Sequence, residues 1–329
     1  MKIRTYLATV FDGMAKGLFA SLIIGTIIKQ IGELTNFAPL IAIGLAAQYM
    51  MGPCIGAGVA FARKTKQFTL ASAIVAGALG AGTITGAGAI AIGEPLGACI
   101  AAVAAVELAS FLEGKTKFDL LVVPAASLLV AGLLGTFVSP AIAVMMKAIG
   151  VMVNSFAEIQ PLPMGLLLGT VVGLVLTGPV SSAALCIAVS LDGLAAGAAL
   201  AGCCAQMVGF AVSSYRENKV GGLLVQAFGT SMVQMKNIIK NPWVWLPPTI
   251  ASAVCGTLSA TVFRMESNAV GAGMGTSGLV GPFSTFAVMG VKSIVPMLIV
   301  YFLIPAAVAL GVSELMRKKG LIKPGDLQL

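Results

Sequence analysis

The chain has 329 residues, 58% of them hydrophobic and only 10% charged, with a net charge of +8 from 20 Lys and Arg against 12 Asp and Glu, and no His. Ordinary soluble domains carry about 25% charged and about 45–50% apolar residues, so this composition excludes a water-soluble enzyme, a disordered chain and a disulfide-stapled secreted domain. It points to an all-α fold, a polytopic integral membrane helical bundle. With 40 glycines, close helix approach through small residues is the expected packing mode; the short alternating segments of a membrane β-barrel are absent from the sequence.

Residues 2–14 place Ile3, Leu7, Val10, Phe11 and Met14 at helical spacing between Lys2, Arg4, Thr5 and Asp12. This pattern predicts an amphipathic helix in the inner membrane interface, leading into the first span. Apolar runs then follow at 15–33, 38–61, 69–92, 95–112, 119–139, 141–157, 162–190, 192–213, 220–238, 244–263, 269–290 and 293–313. The runs 141–157, which holds Lys147, and 220–238, rich in Gln and Met, also read as re-entrant or surface helices. About 10–12 membrane passes are expected, re-entrant hairpins included. With all runs crossing, Lys2 and Arg4 share one side with the clusters at Arg63–Lys66, Lys115–Lys117, Arg216–Lys219 and Arg317–Lys323. The positive-inside rule then puts both termini in the cytoplasm.

Three matches suggest an internal repeat. Gly52-Pro53 resembles Gly178-Pro179; LASAIVAGALGAG (70–82) resembles LDGLAAGAALAG (191–202); and Pro124 with Gly132 resembles Pro248 with Gly256. The matched spans run in opposite directions, as in an inverted repeat around a midplane site. The whole chain, 1–329, therefore reads as a single transmembrane domain with halves 15–157 and 158–290.

An ionisable group inside the membrane is expensive and marks function. Between Phe68 and Val106 the only charge is Glu94, flanked by the helix breakers Gly93 and Pro95 in AIAIGEPLGA. A carboxylate at such a break can accept hydrogen bonds from solute hydroxyls or take up a proton, and freed backbone groups are tolerated where they line a cavity. The segment FRMESNAVGAGMGTSGLVGPFSTFAVMG (263–290) combines Asn268, Gly273, Gly275, Thr276 and Ser277 in a string too rich in glycine for a regular helix. Close backbone approach to an oxygen-rich ligand explains that string. A third element, LTGPVSSAALC (176–186), offers Ser181 and Ser182 beside Pro179; its repeat mate QYMMGPCIGAG (48–58) offers Gln48. Glu94, with the segment Gly271–Pro282 closing the other side, is the expected solute site. Asp192 reads as an N-cap, and Lys236 and Lys240 with Trp243 as an interfacial anchor. The six Cys lie in apolar stretches without metal-like spacing and read as packing residues. No catalytic residue, metal or cofactor is expected, and no motif points to nucleic acid.

The pairing of QPLPMGLLLGTVVGLVLTGPVSSAALCIA (160–188) with GAGMGTSGLVGP (271–282) resembles the EIIC-like membrane proteins of the phosphotransferase system, and more closely the EIIC type 2 branch that includes perfringolysin-O-regulator-like proteins. The resemblance implies a homodimeric permease of the bacterial inner membrane that binds a small polar solute such as a sugar. A separate cytoplasmic IIB protein, itself served by IIA, phosphorylates the sugar in such systems. It also implies a sugar-contacting Glu in a G-x-x-x-E-P-like stretch, and Glu94 in IGEP is the matching position. Sugar-transporting relatives place a His near the sugar, and this chain has none. Self-contained catalysis is therefore not expected; the chain would be at most the membrane subunit of a phosphotransferase. Two alternatives remain: a membrane sensor or regulator that does not transport, and an ion-coupled secondary transporter with Glu94 or Glu107 as proton carrier.

Overall fold

A computed structural model describes residues 3–83, 90–115 and 117–329, without the side chains of residues 139, 140 and 143. The described residues form helices and loops with no named strand; an isolated bridge joins Gly193 and Ser267. The chain divides into two compact units, Met1–Met145 and Met146–Leu329.

In the first unit, α1 (Ile3–Leu18) continues through a π-helical turn at Phe19–Ile23 into α2 (Ile24–Leu34). The predicted interfacial stretch is thus the opening part of one uninterrupted 32-residue apolar helix. The antiparallel return is made by α3 (Ala38–Tyr49) and α4 (Met51–Ala62), followed by α5 (Gln67–Ala81) and α6 (Pro95–Leu112). Between α3 and α4 the path bends by 52°. Backbone meets backbone along this unit because glycines face one another: Gly13 lies against Gly58, Gly25 against Gly44, and Gly80 against Gly97. Small residues supply this contact where lipid offers no hydrophobic drive between helices.

The long helix α7 (Asp119–Ala157) contains the boundary between the units. The two runs predicted at 119–139 and 141–157 are therefore one continuous helix, and Pro140 does not end it. In the second unit, α8 (Pro161–Thr177) and the short α9 (Ser182–Ala188) precede α10 (Gly193–Ser213). The run predicted at 220–238 is fractured. It comprises α11 (Tyr215–Leu224), a π-turn at Val225–Gly229, a 3-10 turn at Ser231–Gln234 and α12 (Met235–Lys240). After a further 3-10 turn at Pro242–Trp245 come α13 (Leu246–Thr261), α14 (Ala269–Ala272), α15 (Val280–Met289), α16 (Ile294–Met297) and α17 (Ile304–Lys318). Helix α10 is the axis of this unit and is buried along almost its whole length. It packs on α8 and α13, where Gly169 meets Gly202 and Gly165 meets Gly256.

Among the described residues, five helical stretches are long and apolar enough to cross a membrane: Ile3–Leu34, Pro95–Leu112, Asp119–Val138, Gly193–Ser213 and Ser277–Lys318. The bent pair Ala38–Tyr49 and Met51–Ala62 makes a sixth if it counts as one span. This differs from the count of hydrophobic runs because several runs are split into pieces shorter than the roughly 20 residues that span a bilayer. The predicted 69–92 run shows the reason: α5 ends at Gly82, whose φ of 70° is left-handed, and residues 84–89 of that run lie outside the described residues. The fold is an all-α polytopic bundle whose helices break at Glu94 in the first unit and at Gly178-Pro179, 225–234 and 263–282 in the second.

Candidate functional site

Glu94 stands where the sequence predicts a break. It is half-buried and occupies the N-cap of α6 with extended backbone, φ −111° and ψ 123°, and Pro95 takes the first helical position. Proline fits there because its missing N–H is one that a helix start leaves unpaired. The chain doubles back onto α5: Ala91 N–H donates to Thr83 O at 2.9 Å and Glu94 N–H donates to Ala81 O at 3.0 Å. Gly93 makes this return possible. Its φ is 81°, and a Cβ there would strike the Ala81 carbonyl. Gly93→Ala is therefore expected to cost at least about 1–2 kcal/mol from the left-handed backbone alone. Thermal unfolding in detergent checks this, and an unshifted midpoint would refute it. Gln48, also in the first unit, is buried at the end of α3 and donates through Nε2 to Thr26 Oγ1 at 2.8 Å. This bond ties α3 to α2.

Glu107 is otherwise engaged. Its Oε1 accepts from Tyr6 Oη at 2.8 Å, and the Arg63 guanidinium pairs with it at 2.8 Å. Its carboxylate thereby joins α6 to α1 and to the end of α4.

In the second unit the structure brings together two of the predicted elements. Ser182 Oγ donates to Gly273 O at 2.6 Å, so the break after Gly178-Pro179 touches the glycine-rich segment directly. A Cβ on Gly273 would meet the Ser182 backbone, which explains the glycine there. Ser181 caps α9 by accepting from Ala184 N–H at 3.2 Å. Asn268 caps α14 by accepting from Gly271 N–H at 3.0 Å. Both side chains therefore have local structural work beside any role toward a ligand. Gly275, with φ 57°, lies against Met207 and Cys203 of α10. Thr276 Oγ1 donates to Ala227 O in the π-turn. Ser277 differs from these: the residue is 4% exposed and its buried hydroxyl has no hydrogen-bond partner among the described residues. An orphaned buried hydroxyl needs an explanation. Asp192 takes the predicted N-cap position, with φ −137° and ψ 170°, but its side chain makes no capping bond.

Sequence reasoning missed the polar chain that links these breaks. Gln206, fully buried in α10, accepts at Oε1 from Thr177 Oγ1 (3.1 Å) and from Trp245 Nε1 (3.3 Å). Thr177 in turn bonds Ser231 Oγ at 2.8 Å. Ser231 belongs to the fractured segment that also holds Gln226 and Gln234, whose side chains bond each other at 2.8 Å. The readable signal was a lone amide in an apolar run, GCCAQMVGF, since such a group has to find a partner inside the bundle. Among the described residues no group of three or more His, Cys, Asp and Glu side chains is placed to hold a metal ion.

The sequence model of the family described as "Phosphotransferase system, EIIC" matches residues 8–329. No match was found to a curated protein or to a solved structure. A match over almost the entire length, on a polytopic all-α chain with broken apolar segments, shows the kinship of the whole: the chain belongs to the phosphotransferase system EIIC family and is a multi-pass membrane component of that transport system.

Proposed function

We propose that this chain is the translocating subunit for a small polar solute, a sugar or a related compound, and that Glu94 is the carboxylate that binds it. The supporting observation is the Glu94 break itself. It is a half-buried acid in an otherwise uncharged tract, at a helix start whose backbone is pinned to α5 through Ala81. A carboxylate accepts hydroxyl hydrogen bonds more strongly than a neutral group does, which suits recognition of a polyol. In the second unit, the buried hydroxyls of Ser267, Ser277 and Ser313 have no hydrogen-bond partner among the described residues. Phosphorylation of the solute takes place only where a separate IIB partner exists. The chain sits in a bacterial inner membrane with both termini cytoplasmic, as a homodimer. The two halves of the chain form an inverted repeat.

Against Glu107 as a proton carrier stands its engagement in the structure, where Oε1 accepts from Tyr6 Oη and pairs with the Arg63 guanidinium. The test uses the full chain in proteoliposomes and a panel of radiolabelled hexoses, pentoses and hexitols. Wild type is expected to bind at least one of them. Glu94→Gln is expected to weaken that binding about tenfold or more, the scale of a lost hydrogen bond to a charged group, while membrane insertion stays intact. Equal binding by the variant would remove Glu94 from the site. No binding by wild type to any of them would favour a sensor.

A further inference from the structure

We propose that the second unit carries a binding site for an acyl chain of an anionic phospholipid, separate from the solute site. An open groove with a volume of about 300 Å³ is lined by Leu174, Pro242, Trp243, Trp245, Leu246 and Thr249. This is at the lower end of ligand-pocket volumes.

The chemistry of the lining selects the occupant. Two lining side chains bring polar atoms that are already engaged inside the protein. Trp245 Nε1 donates to Gln206 Oε1 at 3.3 Å. Thr249 Oγ1 donates to Trp245 O at 2.7 Å and accepts from Gln206 Nε2 at 3.4 Å. What these two residues offer the groove is indole face and methyl group. The lining offers a sugar's hydroxyls few partners, whereas hydrocarbon needs none.

The wall is also preformed. Asn241 accepts from Trp243 N–H at 3.2 Å and donates to Leu321 O and to Asp326 Oδ2, at 2.9 and 2.8 Å. These bonds fix the turn that presents the two tryptophans. The charge comes from the helix just ahead. Lys236 and Lys240 are one turn apart on α12, and Lys240 lies two residues before Pro242. Trp243, 51% exposed, marks the headgroup level at which indoles concentrate. A chain in the groove with its phosphate toward the lysines satisfies both features.

The protein supplies its own reporter, because Trp243 and Trp245 are its two tryptophans. The full chain is reconstituted in phosphatidylcholine vesicles, and its fluorescence is titrated with chain-brominated phosphatidylglycerol or chain-brominated phosphatidylcholine. At equal low mole fraction the anionic lipid is expected to quench with an apparent affinity about fivefold higher per contributing lysine. That preference should fall to unity in Lys236→Gln/Lys240→Gln. High salt should lower it in wild type, a reading that needs no variant. Leu174→Phe, which fills the groove, should reduce quenching by both lipids. Equal quenching by the two lipids in wild type would overturn the proposal, as would a preference that survives both salt and charge removal. So would strong quenching by aqueous iodide, which would show the groove to be wet. A fluorescence change produced by added sugar would reassign it to solute.

Discussion

Gly202→Val is expected to abolish the fold of the second unit. The glycine sits at the centre of α10, the most enclosed helix of that unit. A Cβ built there would overlap the O, C and Cα of Gly169 on α8. All three are backbone atoms, so no rotamer change relieves the clash; the helices have to separate. Separation also strips Ser252 Oγ from Gly202 O, a bond of 2.9 Å that holds α13 to α10. The cost should exceed the about 1–3 kcal/mol usual for overpacking. Gel filtration in mild detergent should show aggregate in place of a monodisperse peak. Gly132→Ala and Gly311→Ala are the controls: nothing lies within 4 Å of a Cβ at either position, and each is expected to gain up to about 1 kcal/mol of helix propensity. A well-folded Gly202→Val protein would show that the helix contact is looser than described.

The second large effect is expected at the far end of the same unit. Arg317 in α17 grips Glu217 with both terminal nitrogens, at 2.8 and 3.0 Å, and also donates to Ser213 O at 3.0 Å. The two side chains are only 11% and 9% exposed, so water does little to screen them. Glu217→Gln leaves a buried guanidinium without its counter-charge, an error worth about 3–5 kcal/mol. Replacing both partners, Glu217→Leu with Arg317→Met, should recover most of that loss, because the desolvation penalty disappears with the charges. The unfolding midpoint in detergent measures both.

Local consequences follow from what surrounds the pair. Asn218 next to Glu217 donates to Leu327 O at 2.7 Å, Gln234 donates to the same carbonyl at 3.0 Å, and Asn237 donates to Gln328 O at 3.0 Å. The tail 320–329 is therefore clasped by amides from the fractured segment. In Glu217→Gln the tail should become sensitive to limited proteolysis before the rest of the unit does. A single variant as stable and as protease-resistant as wild type would contradict the buried-pair argument.

These expectations rest partly on residues whose role could be read early and partly on residues whose role could not. The break at Gly93-Glu94-Pro95 was legible, because a glycine, a lone acid and a proline in an apolar tract leave few alternatives to a helix start. The glycine-rich string 271–282 was legible as irregular backbone for the same reason, and it forms short turns with left-handed Gly275 and Gly278. The clasped tail was not legible, since MRKKGLIKPGDLQL reads as ordinary cationic flank until the amides that hold its carbonyls are in place.

Composition alone determined the solvent and the packing mode. A chain this apolar and this poor in charge has to live in lipid, and a chain so rich in glycine has to pack backbone against backbone. Tertiary structure decided which runs stay whole and which fracture. Pro140 leaves α7 continuous, whereas 220–238, with no proline at all, breaks into four pieces. The physical reason is that a buried polar group takes its partner wherever the fold supplies one. Gln226 finds Ser214 Oγ at 2.7 Å and Gln234 finds the tail, and bonds between residues so distant in the chain leave no trace in local hydropathy.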